Sequence, residues 1–174
     1  MIIGLTGPSR SGKDTVAKLL VDKYSFIHYD FYHDVLIKEL ESRGMEVTKM
    51  NASIVGDELR KEYGMGVMAE LLLKKAVAPH IVVTGVRSVA EVEYFREKTD
   101  KFYLVLIKAS PELRFKRRLD TDPDNMDGFL AREQNDRKKG MYEVFAMADV
   151  SFENEGTIEE LHTKVDEWLK GVLE

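Results

Sequence analysis

The chain has 174 residues, no cysteine, 44% hydrophobic and 33% charged residues, and a formal net charge of −5. That length fits one domain, residues 1–174, with a substantial core. The composition excludes a disordered chain, a disulfide framework and a thiolate metal site. It argues against the basic face that generic nucleic-acid binding needs, and no apolar run reaches membrane-spanning length. The expectation is a cytoplasmic protein with no nucleic-acid or membrane partner.

The first twenty residues carry the strongest pattern. Met1 to Thr6 is a short apolar run, and Gly7-Pro8-Ser9-Arg10-Ser11-Gly12-Lys13-Asp14-Thr15 follows at once. Val16, Ala17, Leu19 and Leu20 then recur at helical spacing. This reads as strand, glycine-bounded turn and helix. Apart from its last position, the turn matches a phosphate-binding loop, two glycines five apart followed by lysine. Glycines let the backbone curl so that successive N–H groups point at a polyphosphate, and the new helix adds its positive end. Lys13 would neutralise phosphate charge, with Ser9, Arg10, Ser11 and Thr15 around it. At the last position the pattern asks for a hydroxyl and the chain has Asp14. That carboxylate reads equally as a Mg²⁺ ligand or as a favourable charge in a helix's first turn.

Further along, apolar strand candidates alternate with helical stretches. Residues 26–30 form a short second strand ending in Asp30; 31–43 read as a helix closed by Arg43-Gly44, and 45–50 as a loop. Residues 51–63, capped by Asn51 or Ser53, and 66–77 read as two more helices. A third strand spans 80–84, and Ser88 caps the helix after it. Residues 102–107 are apolar throughout, as a strand covered on both faces should be. Ser110-Pro111 opens another helix. Residues 120–128 are polar and turn-rich, the stretch expected to be most mobile, and a charged helix follows to about 139. A fifth strand spans 149–152. From near Thr157 a final helix buries one stripe of Ile158, Leu161, Val165, Trp168, Leu169 and Val172. The alternation predicts an α/β doubly wound parallel sheet, with its ligand beyond the carboxyl ends of the strands.

The segments Gly7–Thr15, Leu59–Gly64, Gly85–Glu93 and Ala148–Gly156 carry a family resemblance. The chain resembles the nucleoside monophosphate kinase group of P-loop proteins. Within it, the chain is most similar to an uncharacterised archaeal adenylate-kinase-related family. Its Ser-Gly-Lys-Asp-Thr loop is also similar to that of deoxynucleoside monophosphate kinases. The resemblance implies a five-stranded sheet of order 2-3-1-4-5, an acceptor-binding helical insert at 30–77 and an arginine-bearing lid at 115–140. It implies ATP and Mg²⁺ as cofactors, a nucleotide and a small phosphorylated substrate as partners, and a monomer or homodimer.

By the same resemblance, Arg87, two residues after Gly85, holds the acceptor phosphate; its planar fork suits that task. Thr84 stands where the relatives carry an aspartate, so Asp14 becomes the candidate replacement carboxylate. Asp30 and His33 sit at the entry of the insert, where the relatives have an Asp-x-x-Arg pattern, and Arg60 is a second acceptor contact. Phosphoryl transfer without covalent catalysis needs positive groups around the transferring oxygens, and Arg114, Arg118 and Arg137 are the candidates. Asn154 and Gly156 follow the last strand, where the relatives present main chain to adenine. His28, His80 and His162 read as structural. The implied reaction is transfer of the γ-phosphoryl of ATP to a nucleoside monophosphate or related acceptor. A hydroxyl kinase of the dephospho-coenzyme A kinase type and a nucleotide-binding regulatory protein remain open alternatives.

Overall fold

Runs of β-branched and aromatic residues fold into five strands: β1 (Ile2–Thr6), β2 (Ile27–Asp30), β3 (Ile81–Thr84), β4 (Phe102–Lys108) and β5 (Val150–Glu153). The structure is a computed structural model that describes residues 1–138 and 140–173, apart from the side chains of Arg132 and of residues 135–138. All pairings are parallel and the order is β2-β3-β1-β4-β5, as the resemblance implies. β1 lies at the centre, with Ile2 opposite both Ile81 and Phe102. The phosphate-loop sequence therefore leaves the middle of the sheet at its carboxyl edge, where ligands bind in such folds.

Side chains alternate across each strand, and this divides the core in two. On one face Ile3, Leu5, Val82, Val105, Ile107 and Phe152 pack on α1 (Lys13–Tyr24) and α9 (Ile158–Leu173). On the other face Ile2, Val83, Phe102 and Leu104 meet α3 (Lys49–Tyr63), α4 (Val67–Lys75) and α5 (Val89–Lys98). Val144 of α8 (Met141–Ala146) joins them. Between β4 and α8 lie α6 (Pro111–Lys116) and α7 (Met126–Lys138). Among the described residues no helix is long and apolar enough to cross a membrane.

Several local expectations shift. Residues 31–43 are two segments, a π-helical stretch Phe31–Ile37 and α2 (Lys38–Ser42). Such wide turns recur near functional sites. The helix expected at 51 begins at Lys49, because Thr48 is its cap: Asn51 N donates to Thr48 Oγ1 at 3.1 Å. Asn51 instead donates its side-chain amide to Glu46 O. Helix α8 had no sequence reading of its own. Ile158 does not join the buried stripe of α9; it is 57% exposed, whereas Leu161, Val165 and Leu169 are buried. It precedes the first turn that reaches the sheet.

That difference gives a contrast within one helix. Leu161→Ala should cost about 2–5 kcal/mol, the cost of emptying a core site. Ile158→Ala should stay within about 0.5 kcal/mol. Urea denaturation of both variants measures the two values; equal losses would mean that α9 packs through a different face.

Candidate functional site

The turn after β1 is built from left-handed backbone. Gly7, Arg10 and Gly12 have φ of 141°, 63° and 109°, and Ser11 N donates to Pro8 O at 3.3 Å. A side chain at Gly7 would place Cβ 2.1 Å from Ile107 O, and one at Gly12 would place it 2.3 Å from the Asn154 amide nitrogen. Only glycine fits either place. Lys13 Nζ donates to the carbonyls of Gly7 and Pro8, both at 2.8 Å, so the ammonium lies across the loop.

The loop is fixed from behind. Asn154, 7% exposed, donates its amide to Ser11 O at 2.8 Å. Its main-chain N donates to Lys108 O, and its carbonyl accepts from Arg117 Nη2 at 3.1 Å. The main chain of Asn154 is thus already engaged, and its side chain supports the loop. Gly156 lies in the exposed turn before α9. Arg114, 2% exposed, donates Nε to Ala109 O, Nη1 to Ser9 O at 3.4 Å and Nη2 to Glu133 at 2.6 Å. Arg10 pairs with the buried Asp122 at 2.5 Å, and Leu119 N also donates to that carboxylate. The polar stretch expected to be mobile is therefore tied to the phosphate loop at its centre.

Across from the loop, Arg87 and Lys13 line one slot of about 30 Å³, together with Thr6, Ser9, Gly85 and Met141. The Arg87 guanidinium is exposed and makes no hydrogen bond or ion pair among the described residues. Its main chain is held firmly. Thr6 Oγ1 donates to Val86 O, and Glu91 Oε2 accepts from Arg87 N at 2.8 Å and from Ser88 N at 3.1 Å. Ser88 and Glu91 form a reciprocal capping box on α5. Burial pushes the Glu91 carboxyl up, against the opposing pull of the Arg87 amide and the Arg60 charge. Arg60 Nη2 is 3.8 Å from Glu91 Oε1.

The remaining candidates are spread out. Asp30 caps the π-helical stretch by accepting His33 N, and its other oxygen is 3.1 Å from His33 Nδ1, so these two engage each other. Arg118 is exposed, lies over the Phe115 ring and donates to Phe115 O. The Arg137 side chain lies outside the described residues. Beside Pro8 a larger cavity of about 610 Å³ opens between β4, β5 and α8, with Lys108, Ser110, Arg114, Tyr142 and Phe145 in its wall. Its charges are largely paired within the wall, Lys108 with Glu153 and Arg114 with Glu133. The smaller slot is the one that both Lys13 and Arg87 line.

Asp14 is exposed in the first turn of α1, next to Lys13. Thr84, 5% exposed, has its hydroxyl 2.8 Å from His28 Nε2, so His28 is bonded at the strand ends. Among the described residues no cluster of three or more acidic or histidine side chains could hold a metal alone. Asp14, exposed beside the loop, is the carboxylate that would be available to a Mg²⁺ carried in on phosphates.

Four contributors escaped the sequence reading: Glu91, Asp122, Arg117 and the side chain of Asn154. Only Glu91 had a local signal, the Ser88-x-x-Glu91 spacing of a capping box.

A family model described as an AAA domain (AAA_18) matches residues 3–141. The chain is 33% identical over 181 residues to the UPF0200 protein of Methanosarcina mazei, covering 99% of this chain and 96% of that one. It is 36% identical to the UPF0200 protein of Methanothrix thermoacetophila, covering 94% and 93%. Among solved structures it is similar to the shikimate kinase of Bacteroides thetaiotaomicron, with TM-score 0.62, 18% identity and 98% of both chains covered. That likeness shows a P-loop kinase-like fold and carries no substrate with it. With a loop of this geometry at the carboxyl edge of such a sheet, the chain belongs to the UPF0200 protein family, built on an AAA-type P-loop domain.

Proposed function

We propose that the protein is an ATP-dependent kinase that moves the γ-phosphoryl of ATP to a nucleoside monophosphate or a related phosphorylated small molecule. One observation carries the reading: Lys13 and Arg87, which follow different strands, line a single slot beside a left-handed loop. The loop amides and Lys13 receive the donor phosphates, and Arg87 receives the acceptor phosphate. The cavity of about 610 Å³ beside Pro8 gives room for a nucleoside.

An acceptor oxygen attacks the γ-phosphorus as the bond to the β–γ bridging oxygen breaks, releasing ADP. No side-chain nucleophile is needed; positioning and charge neutralisation do the work. Bound Mg²⁺ would neutralise phosphate charge beside Asp14. Residues 30–77 are the proposed acceptor-binding insert, with Arg60, Asp30 and His33, and residues 115–140 the lid. Arg118 is free of carboxylate partners among the described residues and can turn toward a bound nucleotide. Arg114 acts through the loop that it supports.

A second reading has its own observation. Asp30 stands at the carboxyl end of β2, paired with His33. A carboxylate there could take the proton of a hydroxyl acceptor. ADP release from ATP and Mg²⁺, measured across nucleoside monophosphates and dephospho-coenzyme A, separates the two acceptor classes. Tight ATP binding without acceptor-dependent turnover would favour a regulatory protein.

Lys13→Ala should lower turnover on the order of a hundredfold or more while leaving the fold intact. Arg87→Ala should weaken acceptor use by roughly 1.5–3 kcal/mol and leave ATP affinity unchanged. Steady-state kinetics with calorimetric ATP binding reads both. Undiminished activity in folded Lys13→Ala protein sinks the loop assignment, and an equal loss of ATP affinity in Arg87→Ala moves that arginine to the donor site.

Asp14→Asn keeps the shape and removes the carboxylate, so the Mg²⁺ giving half-maximal rate should rise, and Thr84→Asp in that background should partly restore it. If Asp14 only favours the helix start, the variant loses about 0.3–1 kcal/mol of stability and the magnesium midpoint stays put. A magnesium titration of the three proteins decides.

A further inference from the structure

Glu91 is the most deeply buried acid among the described residues: its side chain is 0% exposed. Its two oxygens differ sharply. Oε2 accepts from two amides, Arg87 N and Ser88 N. Oε1 has no hydrogen-bond partner among the described residues. A helix cap does not require this arrangement. Glutamine closes a capping box as well as glutamate does, and a cap near solvent avoids the cost of burying a charge. A buried carboxylate with one orphaned oxygen is a costly choice unless a cation reaches it.

The cation that faces it is Arg60. It extends from α3 with its Nη2 3.8 Å from Glu91 Oε1 and its Nη1 3.7 Å from Asp57, so its guanidinium sits between two acids outside hydrogen-bond range of both. A movement of roughly 1 Å would bring it to the ordinary 2.7–3.2 Å from Glu91. Arg60 and Arg87 belong to different elements, and Glu91 is the group that addresses both.

We propose that Glu91 is a positioning residue of the acceptor site: one carboxylate oxygen fixes the Arg87 main chain, and the other receives Arg60 as α3 moves onto a bound phosphate. The assignment rests on the acceptor reading of Arg87. It makes the carboxylate the joint through which the helical layer responds to an anion at the slot. Glu91→Gln isolates the effect. The amide still accepts from Arg87 N and Ser88 N, but it turns a donor toward Arg60 where an acceptor stood.

The test uses the full chain with its phosphate loop filled by a non-hydrolysable ATP analogue, and inorganic phosphate and AMP as probes, titrated calorimetrically. Wild type, Glu91→Gln, Arg60→Ala and the double variant are compared. Each single variant should weaken both probes roughly tenfold, and the double should fall no further than the weaker single, because the two groups act together. Affinity for the ATP analogue itself should stay within about twofold. A Glu91→Gln protein with lower melting temperature and unchanged probe affinity overturns the proposal and leaves Glu91 a cap; so does full additivity in the double variant. Should Glu91→Gln fail to fold, an unchanged probe affinity in Arg60→Ala overturns it equally. The two readings fail separately. Probe binding that depends on Glu91, in a protein without acceptor-dependent ADP release, removes the kinase and keeps the positioning role. Acceptor-dependent turnover with an unchanged acceptor KM in Glu91→Gln does the reverse. A wild type that binds neither probe overturns both.

Discussion

The constraint on which the site depends is steric. Between β1 and α1 the chain must turn in left-handed conformations, pressed against Ile107 O on one side and the Asn154 amide on the other. A Cβ at Gly7 or Gly12 would sit inside van der Waals contact with those atoms. This closeness aims the loop amides away from the sheet. The strands behind it supply the walls: Ile107 belongs to β4 and Asn154 follows β5. The parallel order of the sheet therefore sets the loop's shape, because only that order puts β4 beside β1 with β5 next to it. Arg10, at φ 63° without the freedom of glycine, is held in its strained position by Asp122.

The sequence made the frame legible because its signals are local. Apolar runs gave all five strands within a residue or two, since each is a short run bounded by turn residues. The loop was legible because two glycines and a lysine at fixed spacing have few other uses. What escaped were contacts between residues far apart in sequence. Asp122 lies 112 positions from Arg10, and its carboxylate looked like one more polar side chain in a turn-rich stretch. Asn154 was placed correctly after β5, but nothing in its neighbours says that its amide would reach Ser11 O, 143 positions away. Ile158 fitted the apolar stripe of α9 by spacing, and the stripe says nothing of where the sheet ends.

Thr84 illustrates a different limit. At this position the resembling kinases carry a carboxylate, and the sequence shows only a substitution. The structure gives the hydroxyl a partner, His28 on the neighbouring strand. The pairing follows from register. β2 runs parallel to β3 with His28 beside Val82 and Asp30 beside Thr84, so the longer imidazole leans forward along the strand to the hydroxyl. The Thr84 hydroxyl and the His28 ring thus close this part of the carboxyl edge, and the loop's own carboxylate is Asp14 at the start of α1.

How each cation near the loop is partnered sorts the ligand-facing groups from the scaffold. Arg114 is buried and paired with Glu133, and the half-buried Arg10 is paired with the buried Asp122. Freeing either would break a charge pair with at least one buried member, which is costly. Among the partners of Lys13 are two loop carbonyls, Gly7 O and Pro8 O. Arg87 needs no exchange among the described residues, since only its backbone is engaged. Arg60 sits between these cases, close to two acids and bonded to neither. Among the described residues Arg87 is therefore the arginine easiest to recruit, and it shares the slot with Lys13. The groups hardest to recruit lie behind the loop and hold its shape. The energetic order and the spatial order agree, as they would in a site that received an anion with little rearrangement.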